Sequence, residues 1–375
     1  MNVVHVSNTP VAGSPGNIVS ALNRLTDIRA RHIVFNSSAY RTRTFAVDID
    51  WESQREEAFD AIAAADVIHI HQYFALENTF GADFQRHFGK KKLIRQYHSA
   101  PDLWAKGDAA VVASIVNEAV PQLVIAQGPE RYYPFARVVP NVIPLHDSRY
   151  LPMEPPDGLP VVVFSPSGRA SAWKTRWETK GAPQTLALLR KLQREGLCKL
   201  ELIVDRPHDE CLRARQQASI VIDECVTGNY HLSGLEALSQ GKPTIGYLDQ
   251  RVQAQLRTIT GAVELPWIDV RLEEAEQPLR ELLASRSLRT AAGAASRKWM
   301  ETYYDDAGLI QHYRRAYLDL FEAPERFGVA RFDSEIERWL AVGLPNHHWS
   351  ARRRARAPFG RALRSLGGWV GIHQI

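Results

Sequence analysis

At 375 residues the chain is too long for one ordinary domain and long enough for two, each with its own core. Its 45% hydrophobic and 23% charged residues are ordinary for a soluble globular protein, and no apolar run approaches the ~20 residues that a membrane span requires. The net charge of +4 belongs to the tail, because from Ser350 onward six arginines and no acid leave the first 349 residues at −2.

The opening MNVVHVSNTP lacks the basic start and long apolar stretch of a leader, so a cytoplasmic protein is expected. Apolar runs of strand length then recur as NVVHV, HIVF, VIHIH, KLIR, LVIA and RVV, separated by helical patterns near 17–25, 52–65, 77–88 and 108–119. That alternation predicts a parallel sheet covered on both faces. Residues 144–160, PLHDSRYLPMEPPDGLP, are proline-dense and polar, and they are expected to form a linker. The pattern restarts with VVVFS, KLELIV, SIVID, PTIGY and AVEL, with helices near 182–195, 208–218, 232–240 and 271–320. The expected fold is α/β, with two Rossmann-like domains over 1–145 and 158–320 facing across a cleft, and an extension over 321–375. Cys198, Cys211 and Cys225 are odd in number and lack CxxC spacing, so buried thiols are expected rather than disulfides or a zinc knuckle.

Open α/β sheets bind ligands at the carboxyl ends of their strands, and the candidate residues follow strands. In SNTPVAGSPGNIVSAL, Gly13 and Gly16 precede a helix whose first turn holds Asn17, a place where backbone amides can approach an anion; an ordinary strand-to-helix turn is equally consistent. The spacing is not that of a dinucleotide fingerprint. Alternation puts His69 and His71 on one face of their strand, as core residues, whereas His98 ends a strand and is the better site candidate. No ligand spacing around these three histidines suggests a metal. Arg169, Lys174, Arg176 and Lys180 fall between a strand and a helix, where they suit a diphosphate or form a solvated charge run. In TGNYHLSGLEALSQGKP, the helix beginning near Leu232, after His231, would offer amides to phosphate, and Glu236, one turn inside, would accept hydrogen bonds from a ribose diol.

Taken in order, the glycine loop, VIHIHQ, His98, PNVIP at 140–144, SGR with a later Lys-Gly, and LEALSQGKP resemble the GT-B glycosyltransferases of retaining family 4 over about the first 320 residues. The resemblance implies a retaining transfer of sugar from a nucleotide-diphosphate sugar to an acceptor hydroxyl, without cofactor or metal, in bacterial surface glycan assembly such as lipopolysaccharide, capsule or glycolipid. It implies that Arg169 and Lys180 bind the diphosphate, with Lys174 as the alternative, that Glu236 holds the ribose, and that His98 lies near the transferred sugar. The Gly13 to Gly16 loop would close over the donor phosphates. One departure is plain: the family carries a further glutamate eight residues before the ribose-binding one, and Gly228 stands there, with Asp223 and Glu224, a few residues earlier, as the candidate substitutes. A sugar-nucleotide epimerase on the same fold, or a scaffold without catalysis, are the alternatives.

The tail WLAVGLPNHHWSARRRARAPFGRALRSLGGWVGIHQI lies outside the resemblance. Its arginines interleave with Phe359, Leu363, Leu366, Trp369, Val370 and Ile372, a pattern that suits an anionic membrane surface better than nucleic acid, with a solvated or self-packed tail as the alternative. The expected partners are therefore a nucleotide-sugar donor, a glycan or lipid-linked acceptor and the inner face of a membrane.

Overall fold

The computed structural model describes residues 1–39, 45–106, 108–166 and 179–331. The chain separates into two units, Met1–Arg331 and Phe332–Ile375, and both sheets belong to the first. Arg169, Lys174 and Arg176, together with the basic tail, lie outside the described residues.

Seven parallel strands form the first sheet: β1 (Asn2–Ser7), β2 (Arg29–Val34), β3 (Ile49–Asp50), β4 (Val67–His71), β5 (Lys92–Tyr97), β6 (Gln122–Ile125) and β7 (Arg137–Val139), in the order β3-β2-β1-β4-β5-β6-β7. Five more form the second: β8 (Val161–Phe164), β9 (Lys199–Leu202), β10 (Ile220–Ile222), β11 (Thr244–Gly246) and β12 (Ile268–Asp269), in the order β12-β11-β10-β8-β9. All pairs are parallel, as helical crossovers require. Both sheets are Rossmann-like, and the order reverses between β1 and β4 in the first and between β8 and β10 in the second.

The strand alternation assigns the faces. In β1, Val4 and Val6 pack with Ile68 and Ile70 of β4 toward one layer, while Val3 and Val67 face the other with the helix Ser14–Leu25. Burial on both faces explains why these strands read as continuous apolar runs.

Two features go beyond the sequence reading. The proline-dense stretch is anchored at its start and exposed at residues 151–154 and 156–159. Ile143, Leu145 and Tyr150 are fully buried with Tyr230, Leu235 and Leu238 of the second domain. Gln216 Nε2 holds the carbonyls of Ser148 and Leu151, and Arg297 holds those of Leu145 and Tyr150. The second domain also does not extend to residue 320. Tyr304 and Leu309 lie in its core, but Ile310, Tyr313, Ala316, Tyr317 and Leu320 of the helix Asp306–Glu322 are buried against β1, β4, β5 and β6 of the first sheet.

Candidate functional site

Loops that follow strands of the first sheet meet loops that follow strands of the second. The Phe45 ring, after β2, lies 4.8 Å from the His208 ring, after β9. Arg131, after β6, is buried in an ion pair of 2.9 Å with Asp249, after β11. The carboxyl ends of the two sheets therefore face one another.

On the second domain, the chain leaves β10 at Asp223 and returns as the helix Leu232–Ser239. Asp223 accepts from His231 N at 2.9 Å and from Lys180 Nζ and Ser233 Oγ, each at 3.3 Å. Lys180 Nζ also donates to Ser233 Oγ at 2.7 Å, in the first turn of that helix. The approach is close enough that a Cβ on Gly234 would collide with Asp223 Oδ2, so only glycine fits there. Burial pushes the Asp223 carboxyl up, but Lys180 and His231 outweigh it and bring it down to about 2. Burial lowers Lys180, with Asp223 opposing the shift. Lys180 is thus a buried, paired cation at a helix N-terminus, with one ammonium proton beyond those given to Asp223 and Ser233.

Glu236 has partners that the sequence reading did not name. Its carboxylate is buried and paired inside the domain: Oε1 takes a bond of 2.7 Å from His208 Nε2, and Oε2 takes a very short one from Arg215 Nη2. Burial raises its pKa, but Arg215 and His208 reverse the shift, so it remains a carboxylate. Each oxygen keeps a lone pair for another donor. Arg215 and His208 were not foreseen, because nothing in local spacing links them to Glu236.

Both acids nearest to Gly228 in sequence are engaged within the domain, Asp223 with Lys180 and His231. Glu224 is fully buried and accepts from the backbone N–H groups of Val226, Thr227 and Gly228 and from the Thr227 hydroxyl, which folds the loop. Gly228 has φ +82°, and a Cβ there would come within 2.8 Å of Asp249 Cβ. No side chain can occupy the position without moving the buried Arg131–Asp249 pair.

On the first domain, Val11 and Ala12, which are not glycine, share positive φ values of 48° and 53° with Gly13 at 79°. Such strain costs ~1–2 kcal/mol per residue and gathers at ligand clamps. Gly13 packs under Phe45, so the loop connects through Phe45 and His208 to Glu236. Gly16 lies in the helix, with open space beside it. Asn17 is a structural tie, since its Nδ2 donates to the Val142 carbonyl at 3.1 Å and fastens the helix to the interdomain segment.

His98 follows β5, and its Nε2 is 2.9 Å from His71 Nδ1. His71 Nε2 is in turn 2.9 Å from His5 Nδ1, and Tyr317 lies between His5 and His69. Sequence reading missed His5, whose register opposite His69 on the paired strands is a tertiary fact. Burial keeps all four rings neutral, with His98 lowered to about 3. Nitrogens of His5, His69 and His71 lie within 4.8 Å of one another, a set that would have to give up these bonds to hold a metal ion. Beside His98, a pocket of about 440 Å³ is lined by His71, Gln72, Tyr73, Ser99 and Trp104 among others. Trp104 is 59% exposed and stacks on Tyr73 at 5.5 Å, which gives the pocket an aromatic wall.

No family model matches the chain, and no curated protein matches it. Solved structures do. Sucrose-phosphate synthase from Thermosynechococcus elongatus is 13% identical, with 86% of this chain and 100% of that one covered, at a TM-score of 0.54. HepE from Anabaena, in complex with UDP and glucose, is 13% identical over 85% and 100%, at 0.57. A glycosyltransferase from Rickettsia africae is 9% identical over 86% and 99%, at 0.54. The likeness is one of fold, the GT-B arrangement of two Rossmann-like domains expected from the sequence.

Proposed function

We propose that the chain is a retaining glycosyltransferase that moves a sugar from a nucleotide-diphosphate sugar to a glycan or lipid-linked acceptor hydroxyl, without a metal, in bacterial surface glycan assembly. The observation that supports it most is Lys180 Nζ, 2.7 Å from Ser233 Oγ in the first turn of the helix Leu232–Ser239, at the point where the second sheet reverses order. A diphosphate seated there would take the remaining ammonium proton and the positive end of the helix, and both would oppose the charge that develops as the sugar leaves. Arg169 and Lys174, which precede Lys180 in the sequence, would complete the cradle. Glu236, held by Arg215 and His208, would receive the ribose hydroxyls on its spare lone pairs, once Phe45 moves off His208. The acceptor would lie in the first-domain pocket against Tyr73 and Trp104, whose rings suit the apolar face of a sugar. HepE, solved with UDP and with UDP-glucose, supports a nucleotide-sugar donor.

A thermal-shift screen against UDP, GDP, ADP, CMP and TDP tests the donor site, since a ligand at 100 times its Kd stabilises the native state by about 2.7 kcal/mol. One diphosphate should raise Tm; no shift with any of them would remove the proposed site. An assay for glycosyl product separates transfer from epimerisation.

No helix among the described residues is long and apolar enough to cross a membrane. The basic aromatic tail is proposed to hold the enzyme on an anionic bilayer, where each cation adds about 1 kcal/mol. Deleting residues 350–375 should abolish co-sedimentation with anionic vesicles; an intact chain that ignores such vesicles at low salt would point to a soluble acceptor.

A further inference from the structure

Another cavity, of about 500 Å³, lies at the amino ends of the second sheet, where Ser219 and Pro243 immediately precede β10 and β11. The candidate donor site lies at the carboxyl ends, so the two are on opposite edges of the sheet. One wall of the cavity is the exposed proline-dense segment, with Pro152, Pro155 and Pro156, and another is the helix Arg286–Tyr303. That helix touches the turn before β11 at Gly293, where a Cβ would come within 2.2 Å of the Gly241 carbonyl oxygen, so only glycine lets it seat so closely.

The charges that line this cavity do not balance. Arg286 pairs with Asp157 at 3.1 Å and Arg297 with Glu301 at 2.6 Å. Lys242, Arg289 and Lys298 make no ion pair among the described residues, and against these three cations stands one acid without an ion pair, the exposed Glu154. Lys242 is the most telling of them. It is 2% exposed, and its ammonium gives one hydrogen bond, of 2.6 Å, to the carbonyl of Met153, which leaves two protons without an acceptor among the described residues. Burial pushes Lys242 down to about 8, and only Glu154 opposes the shift, whereas the buried Lys180 is in contact with Asp223. Arg289 gives its Nη1 to the carbonyls of Leu282 and Leu283, which keeps Nε–H and Nη2 for a ligand. A buried cation is costly unless it is paired, and here the space beside it is large enough for a partner to enter.

We propose that this cavity is a second ligand site, which takes the phosphate group of a small phosphomonoester. Three cations without ion pairs, less one such acid, leave two positive charges, which match the phosphomonoester dianion, with Lys242 and Arg289 as donors to its oxygens. The cavity is much larger than a phosphate alone, and Pro152, Met153, Pro155 and Pro243 line it with apolar surface for the organic part. The site stands apart from the cleft and is independent of the proposed transferase reading.

The chain holds three methionines, Met1, Met153 and Met300, of which Met153 alone lines the cavity, so its methyl group is a local reporter. In 1H–13C spectra of protein labelled with methyl-13C-methionine, and with Met153 assigned by Met153→Leu, glycerol 3-phosphate should move the Met153 signal along a saturable curve with a Kd below about 1 mM. The Met300 signal, from the second core, should stay in place, and glycerol or sodium chloride at matched ionic strength should move neither. Lys242→Gln keeps a donor for the Met153 carbonyl and should raise the Kd at least about tenfold, as the loss of a hydrogen bond to a charged group dictates. Lys298→Glu alters an exposed position, so the fold is undisturbed, and it should raise the Kd at least about threefold. No saturable shift up to about 20 mM, or an equal shift with sodium chloride, overturns the proposal. A Kd unchanged in either folded variant also overturns it, and Lys298→Glu decides alone should Lys242→Gln fail to fold. A shift with inorganic phosphate but none with glycerol 3-phosphate would overturn the phosphomonoester as the ligand.

Discussion

Glu236 and Arg215 are buried together, each 3% exposed at the side chain, so neither can be removed without stranding the other. Glu236→Ala leaves a guanidinium without its carboxylate and should lower stability by about 3–5 kcal/mol in urea melts, whatever the protein binds. Glu236→Gln keeps an acceptor of the same shape and is the variant suited to function. It should fold and should weaken nucleotide binding by about 1.5–3 kcal/mol, the range for hydrogen bonds to a charged group, as titration calorimetry would read. An unchanged Kd would take Glu236 out of the ribose site. Glu236 and Lys180 stand out in the sequence because each sits at a fixed distance from a strand end or a helix start. Arg215 and His208 did not stand out, since they reach Glu236 from 21 and 28 positions away, over a distance that no local pattern spans.

At the scale of elements, the long buried strands were legible because parallel sheets covered on both faces leave unbroken apolar runs. Very short elements were not. The two residues of β3 make no pattern, and AVEL at 262–265 looks like a strand but follows the helix-ending Gly261, with Val263 81% exposed. The helix Gln250–Thr260 was missed despite a plain signal: Asp249 caps it by accepting from Arg251 N and Val252 N, and Val252 and Leu256 face inward. The expected single helical stretch over 271–320 is three helices, divided at the N-caps Ser285 and Asp305. The most consequential elements are β1, β2 and β4, which bury His5, His32, His69 and His71, with His98 after β5 half-buried beside them. Burial lowers all five from the ordinary 6.5, with His32 at about 4 and His98 at about 3. The sign follows directly. The unfolded chain takes up protons near pH 6.5 that the folded chain refuses, so their contribution is complete above that pH and is lost as the pH falls, at up to ~1.4 kcal/mol per unit for each ring. Urea midpoints should therefore drop between pH 7.5 and 5.5, above the range where carboxylates titrate, with more than one proton taken up on unfolding. A midpoint constant across that window would mean that the rings are not buried neutral.

For the whole molecule, the chain changes cores between Leu309 and Ile310: the first packs with the second domain and the second with the first. Composition and periodicity show that a helix lies there, but which sheet it covers depends on the path of the chain, and so the boundary at 320 was misplaced. Ion pairs fasten the return, from Arg24 to Asp306 at 2.6 Å and from Arg137 to Asp319 at 2.8 Å. Because the helix is common to both cores, loosening it should be felt by both. Ile310→Ala removes a fully buried side chain and should cost about 2–5 kcal/mol. The test is whether the loss is shared. Trp51 packs beside the first core, and Trp299 lies in the second, so single-tryptophan variants report each domain separately in the same urea titration. If the return helix couples the domains, both probes should shift together in Ile310→Ala and remain coincident. If the Trp51 transition moves while that of Trp299 stays, the helix belongs to the first domain alone and does not couple the two cores.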